Sequence, residues 1–378
     1  MKRLLPLILM ITITAAFNCT SAPETYTVEE TGGIKYIHNI SPKWGDAPKV
    51  DLGFVRKYGE LESGNENLQL YRPMDVAVDS KGDIYILDSG NFRVQKFTSD
   101  GEFILSFGNK GQGPGELSAP FGMDTDENDN IYIADYTNQV IHVFDMNGNF
   151  VRGIKPGKGL MPKSLLFIDP EKIILNSQGL SDPEKLESEK LVKIINNSGE
   201  ITGEFGERKQ FEDEMLQFIG NEVFFALDGD NNIYISYMMQ NRIEKYNSEG
   251  NMIWKMDRVK PYPESETSES KRGTSPDGRT YYVFKTNRFS LNIQSDHRDR
   301  IWVQSMERAY TDGEWERGGE SDENIIIFEI YDKDGILLGE LKKDFYTKGR
   351  LFRIIGDRFF VIDARDEHSV FEYRIIEK

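Results

Sequence analysis

The sequence predicts an all-β fold, a six-bladed β-propeller of four-stranded antiparallel blades in which an N-terminal strand closes the C-terminal blade. Three observations predict it. One short phrase recurs six times along the chain, each copy is set between turn signals that join short strands, and the last copy lacks a strand that the N-terminal region can supply.

The phrase is clearest in Asp83-Ile84-Tyr85-Ile86-Leu87-Asp88 and Asn130-Ile131-Tyr132-Ile133-Ala134-Asp135. Weaker copies follow at Lys172-Ile173-Ile174-Leu175, Asn232-Ile233-Tyr234-Ile235, Arg300-Ile301-Trp302-Val303 and Arg358-Phe359-Phe360-Val361. Before each clear copy stands an apolar strand, as in Met74–Asp79, and a polar turn such as Ser80-Lys81-Gly82-Asp83 or Gly229-Asp230-Asn231-Asn232. A third strand ending in an aromatic follows, at Phe97, Phe144 and Tyr246, and then a turn on Asp100-Gly101, Asn147-Gly148, Ser198-Gly199, Glu249-Gly250 or Asp334-Gly335. Asp-Gly and Asn-Gly tolerate the positive φ that tight hairpin turns demand. The unit is therefore a four-stranded meander, and units of this size repeated around an axis shield most of their own edges. No long segment of helical period appears, which excludes a parallel sheet with helical crossovers.

The blades fall at about 73–108, 120–155, 162–206, 219–256, 289–342 and 350–378, within a propeller domain of 34–378. The last has three strands, and Val50–Tyr58 reads like the fourth strand of the first unit, Phe103–Phe107, so residues 50–58 are expected to complete it.

Over residues 70–155 the pattern Pro73…Val76-Ala77-Val78-Asp79…Ile84-Tyr85…Asp88…Asn91-Phe92-Arg93-Val94, with Asp100-Gly101, Phe107-Gly108 and Gly111-Gln112-Gly113-Pro114-Gly115-Glu116 after it, resembles NHL-type repeats. The whole is similar to the six-bladed propeller lipoproteins of bacterial envelopes. Six-bladed propellers also resemble lactonases, streptogramin-type lyases and the peptide-amidating lyase, and that likeness implies a divalent metal at the channel held by His, Glu or Asn.

Met1-Lys2-Arg3 and the apolar run Leu4–Phe17 fit a secretory signal over residues 1–18, too short to span a bilayer comfortably. The lone cysteine, Cys19, follows at once, in a setting that resembles a bacterial lipobox with Asn18 in place of the usual small residue. Lipidation of Cys19 would anchor the protein to a membrane; ordinary cleavage near Ala22 or an uncleaved anchor would also leave the body outside the cytoplasm. Residues 19–33, rich in Thr, Ser and Glu, read as a tether. A single cysteine excludes an intrachain disulfide and a cysteine zinc cage. With 46 Lys+Arg against 63 Asp+Glu, the net charge of −17 argues against nucleic acid as a partner, and a monomer is expected.

The long connections, 60–71, 109–119, 176–190, 207–219, 257–288 and 305–324, share one face, where binding is expected. Arg72, Lys163, Arg288 and Arg350 each open an innermost strand and are the candidate ligand-binding residues at the channel mouth, able to attract a carboxylate or phosphate. Tyr310 and Trp315, on an otherwise polar loop, are candidates for a sugar or protein partner. Asp88…Asn91 and Asp135…Asn138 are expected to cap their own turns rather than to hold a cation. Tyr262–Thr280, rich in Ser, Glu, Pro and Thr, is expected to be mobile. His38, His142, His297 and His368 are too scattered to form a zinc site, no nucleophile motif of the Gly-Xaa-Ser-Xaa-Gly kind occurs, and no catalytic residue is assigned. No cofactor is expected, a carboxylate-and-Asn calcium site being the one left open. The expected function is a non-catalytic envelope propeller that binds a protein, peptide or glycan on the long-loop face. The alternative is a metal-dependent propeller hydrolase or lyase acting on a small extracellular substrate.

Overall fold

The computed structural model describes residues 24–59, 64–157, 160–176, 189–274, 280–317, 323–343 and 351–378. Six four-stranded antiparallel blades form a six-bladed propeller, at 73–107, 120–154, 165–205, 223–257, 292–342 and 351–377. The sixth blade takes its outermost strand from the other end of the chain: Val50–Tyr58 pairs antiparallel with Ser369–Glu377, Leu52 opposite Ile375 and Tyr58 opposite Val370.

The recurring phrase has a physical cause in the turn before it. In blade 1, Asp79 Oδ1 accepts from the backbone N–H groups of Lys81 and Asp83 at 3.0 and 2.9 Å, which fixes the turn between the first two strands. Its other oxygen accepts the Tyr85 hydroxyl at 3.1 Å, so the tyrosine of the second strand is bonded back to the turn. The arrangement recurs with Asp126 and Tyr132 (3.3 Å), with Asp228 and Tyr234 (2.9 Å), and with Asp296 and the indole N–H of Trp302 (2.8 Å). All four aromatic side chains are buried, where an unmatched hydroxyl or N–H would cost about 1–3 kcal/mol. On the following turn, Gly148, Gly250 and Gly335 adopt φ of 80 to 81°. A Cβ there would also lie 2.8 Å from Phe107, 2.9 Å from Phe205 and 3.2 Å from Trp254, aromatic side chains of the preceding blade.

The core lies between blades. Ala77, Tyr85 and Phe107 of blade 1 pack with Met123, Ile131 and Phe144 of blade 2. Across the closure, Tyr58, Phe360 and Val370 of blade 6 pack with Val76, Ile86 and Phe97 of blade 1. Arg358 spans the same seam, bonding Glu372 of its own blade at 2.9 Å and the carbonyl of Gly82 in blade 1 at 2.9 Å.

One expectation is corrected. The stretch assigned to a tether, 19–33, enters the fold: Tyr26–Thr31 pairs antiparallel with Ile34–Asn39, which pairs in parallel with Met252–Asp257 and makes blade 4 a six-stranded sheet. The hairpin is held by Asn39, which donates to the Gly335 carbonyl at 3.0 Å and accepts from Leu337 N–H at 2.8 Å, tying blade 4 to blade 5. The chain then crosses blade 5, where Trp44 packs against Gly339 so closely that a Cβ there would lie 2.4 Å from the indole. In the described part of the segment 262–280, the strand Glu269–Thr274 pairs with Thr280–Lys285. The segment is moored by Tyr262, whose buried hydroxyl donates to the carbonyls of Arg288 and Met306 at 3.0 Å. The signal segment 1–18, Cys19 and Arg350 lie outside the described residues.

Replacing Tyr85 and Tyr132 together by Phe is expected to lower stability by about 1–3 kcal/mol at neutral pH. Burial, reinforced by Asp79 and Asp126, pushes the two hydroxyls up to about 12 from an ordinary 10.0. A raised value in the folded state means the contribution is complete below pH 10 and is lost as pH climbs through 12. Thermal melts of both proteins over that range should therefore show a shallower alkaline fall for the double variant; parallel curves would remove the proposed role of the hydroxyls.

Candidate functional site

The innermost strands place six residues at each step around the axis. Opposite the second-strand positions Tyr85, Tyr132, Ile174, Tyr234, Trp302 and Phe360 stand Ala77, Asp124, Leu166, Ala226, Gln294 and Arg353. One step outward stand Asp75, Gly122, Phe224, Asn292 and Leu351, with Ser164 just before the first strand of blade 3. This outer ring forms the wall of a cavity of about 370 Å³, and Gln294 and Arg353 form its base. The cavity opens among residues just before innermost strands, such as Lys163 and Arg288, and in the loops between second and third strands, such as Met238 and Arg365. Those are the connections of the long-loop face.

Arg353 organises the base. Its guanidinium Nη2 reaches from blade 6 past blade 1, whose residue at that step is only Ala77, to Asp124 Oδ1 of blade 2 at 3.2 Å. Asp124 Oδ2 accepts the Phe167 N–H of blade 3 at 2.9 Å, and Asp75 Oδ2 accepts the Met123 N–H of blade 2 at 2.8 Å. One guanidinium and two carboxylates thus join four of the six blades across the channel. Burial pushes the Asp75 and Asp124 carboxyls above their ordinary values, and Arg353 offsets only part of that. Burial also opposes the charge on Arg353, but Asp75 and Asp124 together outweigh it and hold the guanidinium above its ordinary value. Its Nε is buried without a hydrogen-bond partner.

Residues 61–309, more than half of the chain, match the family model of DUF5128, described as a 6-bladed beta-propeller. The chain belongs to the DUF5128 family. The NHL likeness is borne out as well: human NHL repeat-containing protein 3 is 33% identical over 123 residues, 31% of this chain and 34% of its own length. A probable peptidyl-alpha-hydroxyglycine alpha-amidating lyase of Caenorhabditis elegans is 32% identical over 117 residues, 28% of this chain and 33% of its own. The chain thus spans about a third of the length of these curated relatives. A member of the DUF4221 family from Bacteroides vulgatus superposes with a TM-score of 0.59 at 12% identity, over 87% of this chain and 99% of that one, which shows the shared fold.

In this DUF5128 propeller, two of the four cations singled out from the sequence, Lys163 and Arg288, line the cavity. Arg72 does not. It lies exposed on the approach to blade 1, with a left-handed φ of 50°, outside the cavity lining. Arg350 lies outside the described residues. Lys163 is engaged, its Nζ 2.9 Å from Glu222 Oε1. Arg288 enters no ion pair among the described residues, and its Nε is buried without a hydrogen-bond partner. Arg365, which the sequence reading missed, lies on the loop between the second and third strands of blade 6 and joins the lining.

Tyr310 and Trp315 do not form an exposed platform. Trp315 is only 8% exposed and sits edge-on to Tyr310, with ring centroids 5.1 Å apart. Arg308 and the capping box of Thr311 and Glu314 hold that loop against its own blade. Burial raises the Tyr310 hydroxyl, with Glu314 adding to the rise and Arg288 and Arg365 opposing it.

Asp88 and Asp135 cap turns and pin the entering linkers. Asp88 accepts from Tyr71 N–H at 2.7 Å and from Asn91 at 2.9 Å; Asp135 accepts from Ser118 N–H at 2.7 Å and from Asn138 at 3.0 Å. Among the described residues, no three His, Cys, Asp or Glu side chains are grouped so as to hold a metal ion.

Replacing Arg353 by Met leaves two buried carboxylates without their cation, at an expected cost of about 3–5 kcal/mol at pH 7. Because burial already raises both carboxyls, they take up protons as pH falls and the deficit should shrink toward about pH 4.5. Urea titrations at the two pH values check this, and a deficit that stays constant would contradict it.

Proposed function

We propose that this propeller is a binding module of the cell envelope that engages a protein, peptide or glycan on its long-loop face without transforming it. The observation that carries this reading is the cavity at the channel mouth. Its wall is set by the register of six strands, it opens where the long connections converge, and it combines apolar lining with cationic groups. Concave, preformed sites of this size are where rigid scaffolds bind ligands. The carboxylates that could serve as general bases already have partners: Asp75 and Asp124 accept backbone N–H groups and face Arg353, and Glu222 holds Lys163. General-base catalysis needs a carboxylate within reach of the proton it abstracts, so this pattern favours binding.

A photo-crosslinking residue placed at Lys163 or Arg288 should capture a partner in cells, whereas the same residue at Lys81 or Asn128, on the opposite-face turns, should not. Equal capture from both faces would contradict the reading. Export and anchoring rest on the apolar run Leu4–Phe17 and on Cys19. Cys19→Ala is expected to move the protein from the membrane fraction to the soluble envelope fraction, and unchanged sedimentation would argue against a lipid anchor. The metal-dependent lyase reading has one observation on its side, the partial likeness to the worm protein. A stoichiometric divalent metal in the purified protein would favour it.

A further inference from the structure

The channel mouth is positive within a chain of net charge −17. Four cations, Lys163, Arg288, Arg353 and Arg365, line it, against the carboxylates of Asp75 and Glu222, with Asp124 bonded to Arg353 behind them. The three carboxylates are all engaged: Glu222 with Lys163, Asp124 with Arg353 and the Phe167 N–H, Asp75 with the Met123 N–H. Two cations remain without an ion pair among the described residues, Arg288 and Arg365. They come from different connections of the long-loop face, Arg288 just before the first strand of blade 5 and Arg365 on the loop between the second and third strands of blade 6, and both line the cavity. The same lining carries apolar side chains, Met74, Phe121, Phe224, Met238 and Leu291.

Two guanidinium groups without ion pairs beside apolar side chains suit a molecule with a negative head and an apolar body. Arg presents a planar fork that matches a carboxylate bidentately, and an apolar lining gains from excluding water around the body. Phosphate or sulfate alone would leave the Met and Phe surface wet.

Resting on the binding reading above, we propose that the channel mouth binds the carboxylate of an apolar organic acid, its head between Arg288 and Arg365 and its body against Met74, Phe121, Phe224 and Met238. Free small acids and the C-terminal carboxylate of a peptide share this chemistry.

The test is calorimetry on the full chain with two matched pairs of probes: octanoate against octanamide, and acetyl-Leu-Phe as free acid against its amide. Each acid that fits should bind about tenfold to a hundredfold more tightly than its amide, and less tightly as salt is raised. Arg288→Ala with Arg365→Ala should abolish the preference while leaving the melting temperature near that of the parent, since among the described residues neither side chain is tied into the blades by an ion pair. Arg288→Lys with Arg365→Lys should keep only part of it. Preference confined to the dipeptide would assign the site to peptide C-termini, and preference for octanoate alone to small acids. Acids and amides bound equally, neither bound at all, or a preference that survives the double Ala variant would each overturn the proposal. If crosslinking still maps the partner to this face, the binding reading stands and only the carboxylate assignment falls. If crosslinking finds both faces equal while the acids are preferred, the reverse holds.

Discussion

The hydrogen bond from a second-strand aromatic to the aspartate of the preceding turn is the constraint on which the blade geometry depends. In four of the six blades it joins Tyr85, Tyr132, Tyr234 or Trp302 to Asp79, Asp126, Asp228 or Asp296, and the same aspartate organises the turn through its backbone. A buried tyrosine at that point needs an acceptor, and a carboxylate at that point needs donors. Each satisfies the other, so the two strands are locked in one register. Since the side-chain period of a strand is two, a slip of one residue would turn the inner ring of Asp124 and Arg353 away from the axis and destroy the cavity base.

The blades are then joined by side chains that reach across seams rather than by more sheet. Arg353 spans three blades to Asp124, Asp75 and Asp124 each bond the backbone of the next blade, and Asn39 joins blade 4 to blade 5. These buried polar links cost desolvation and are matched in most cases by donors from the neighbouring strand. The site is made of the same links, so its shape and the fold's stability share residues.

Much of this was legible in the sequence because it repeats. The Ile-Tyr phrase, the Asn-Gly turns and the missing strand of the last blade each follow from strand periodicity and turn chemistry, and residues 50–58 close blade 6 as expected. The hairpin at 26–39 was not legible. Its outer strand is almost wholly exposed and built from Thr and Glu, so composition gave the signature of a tether although backbone pairing holds it. Lys163 and Arg288 could be placed from their position before a strand, but Arg72 could not be told apart from them because a backbone turn, invisible in composition, points it elsewhere. Arg353 and Arg365 gave no signal of their own. The first stands at a step whose other residues are Ala, Asp, Leu and Gln, and only counting steps from Phe360 would have put it on the axis within reach of Asp124. Trp315 misled because an aromatic on a polar loop looks offered to a partner until its neighbour Tyr310 is seen to cover it.

The join of Val50–Tyr58 to Ser369–Glu377 has a kinetic meaning for a molecule of this kind. In an open stack of repeats, terminal units peel away one at a time at little expense. Here the outermost strand of the last unit arrives from three hundred residues away along the polymer, and detaching it exposes the seam with the first unit as well. Partial opening is thereby penalised twice, which favours long-lived integrity of the closed ring.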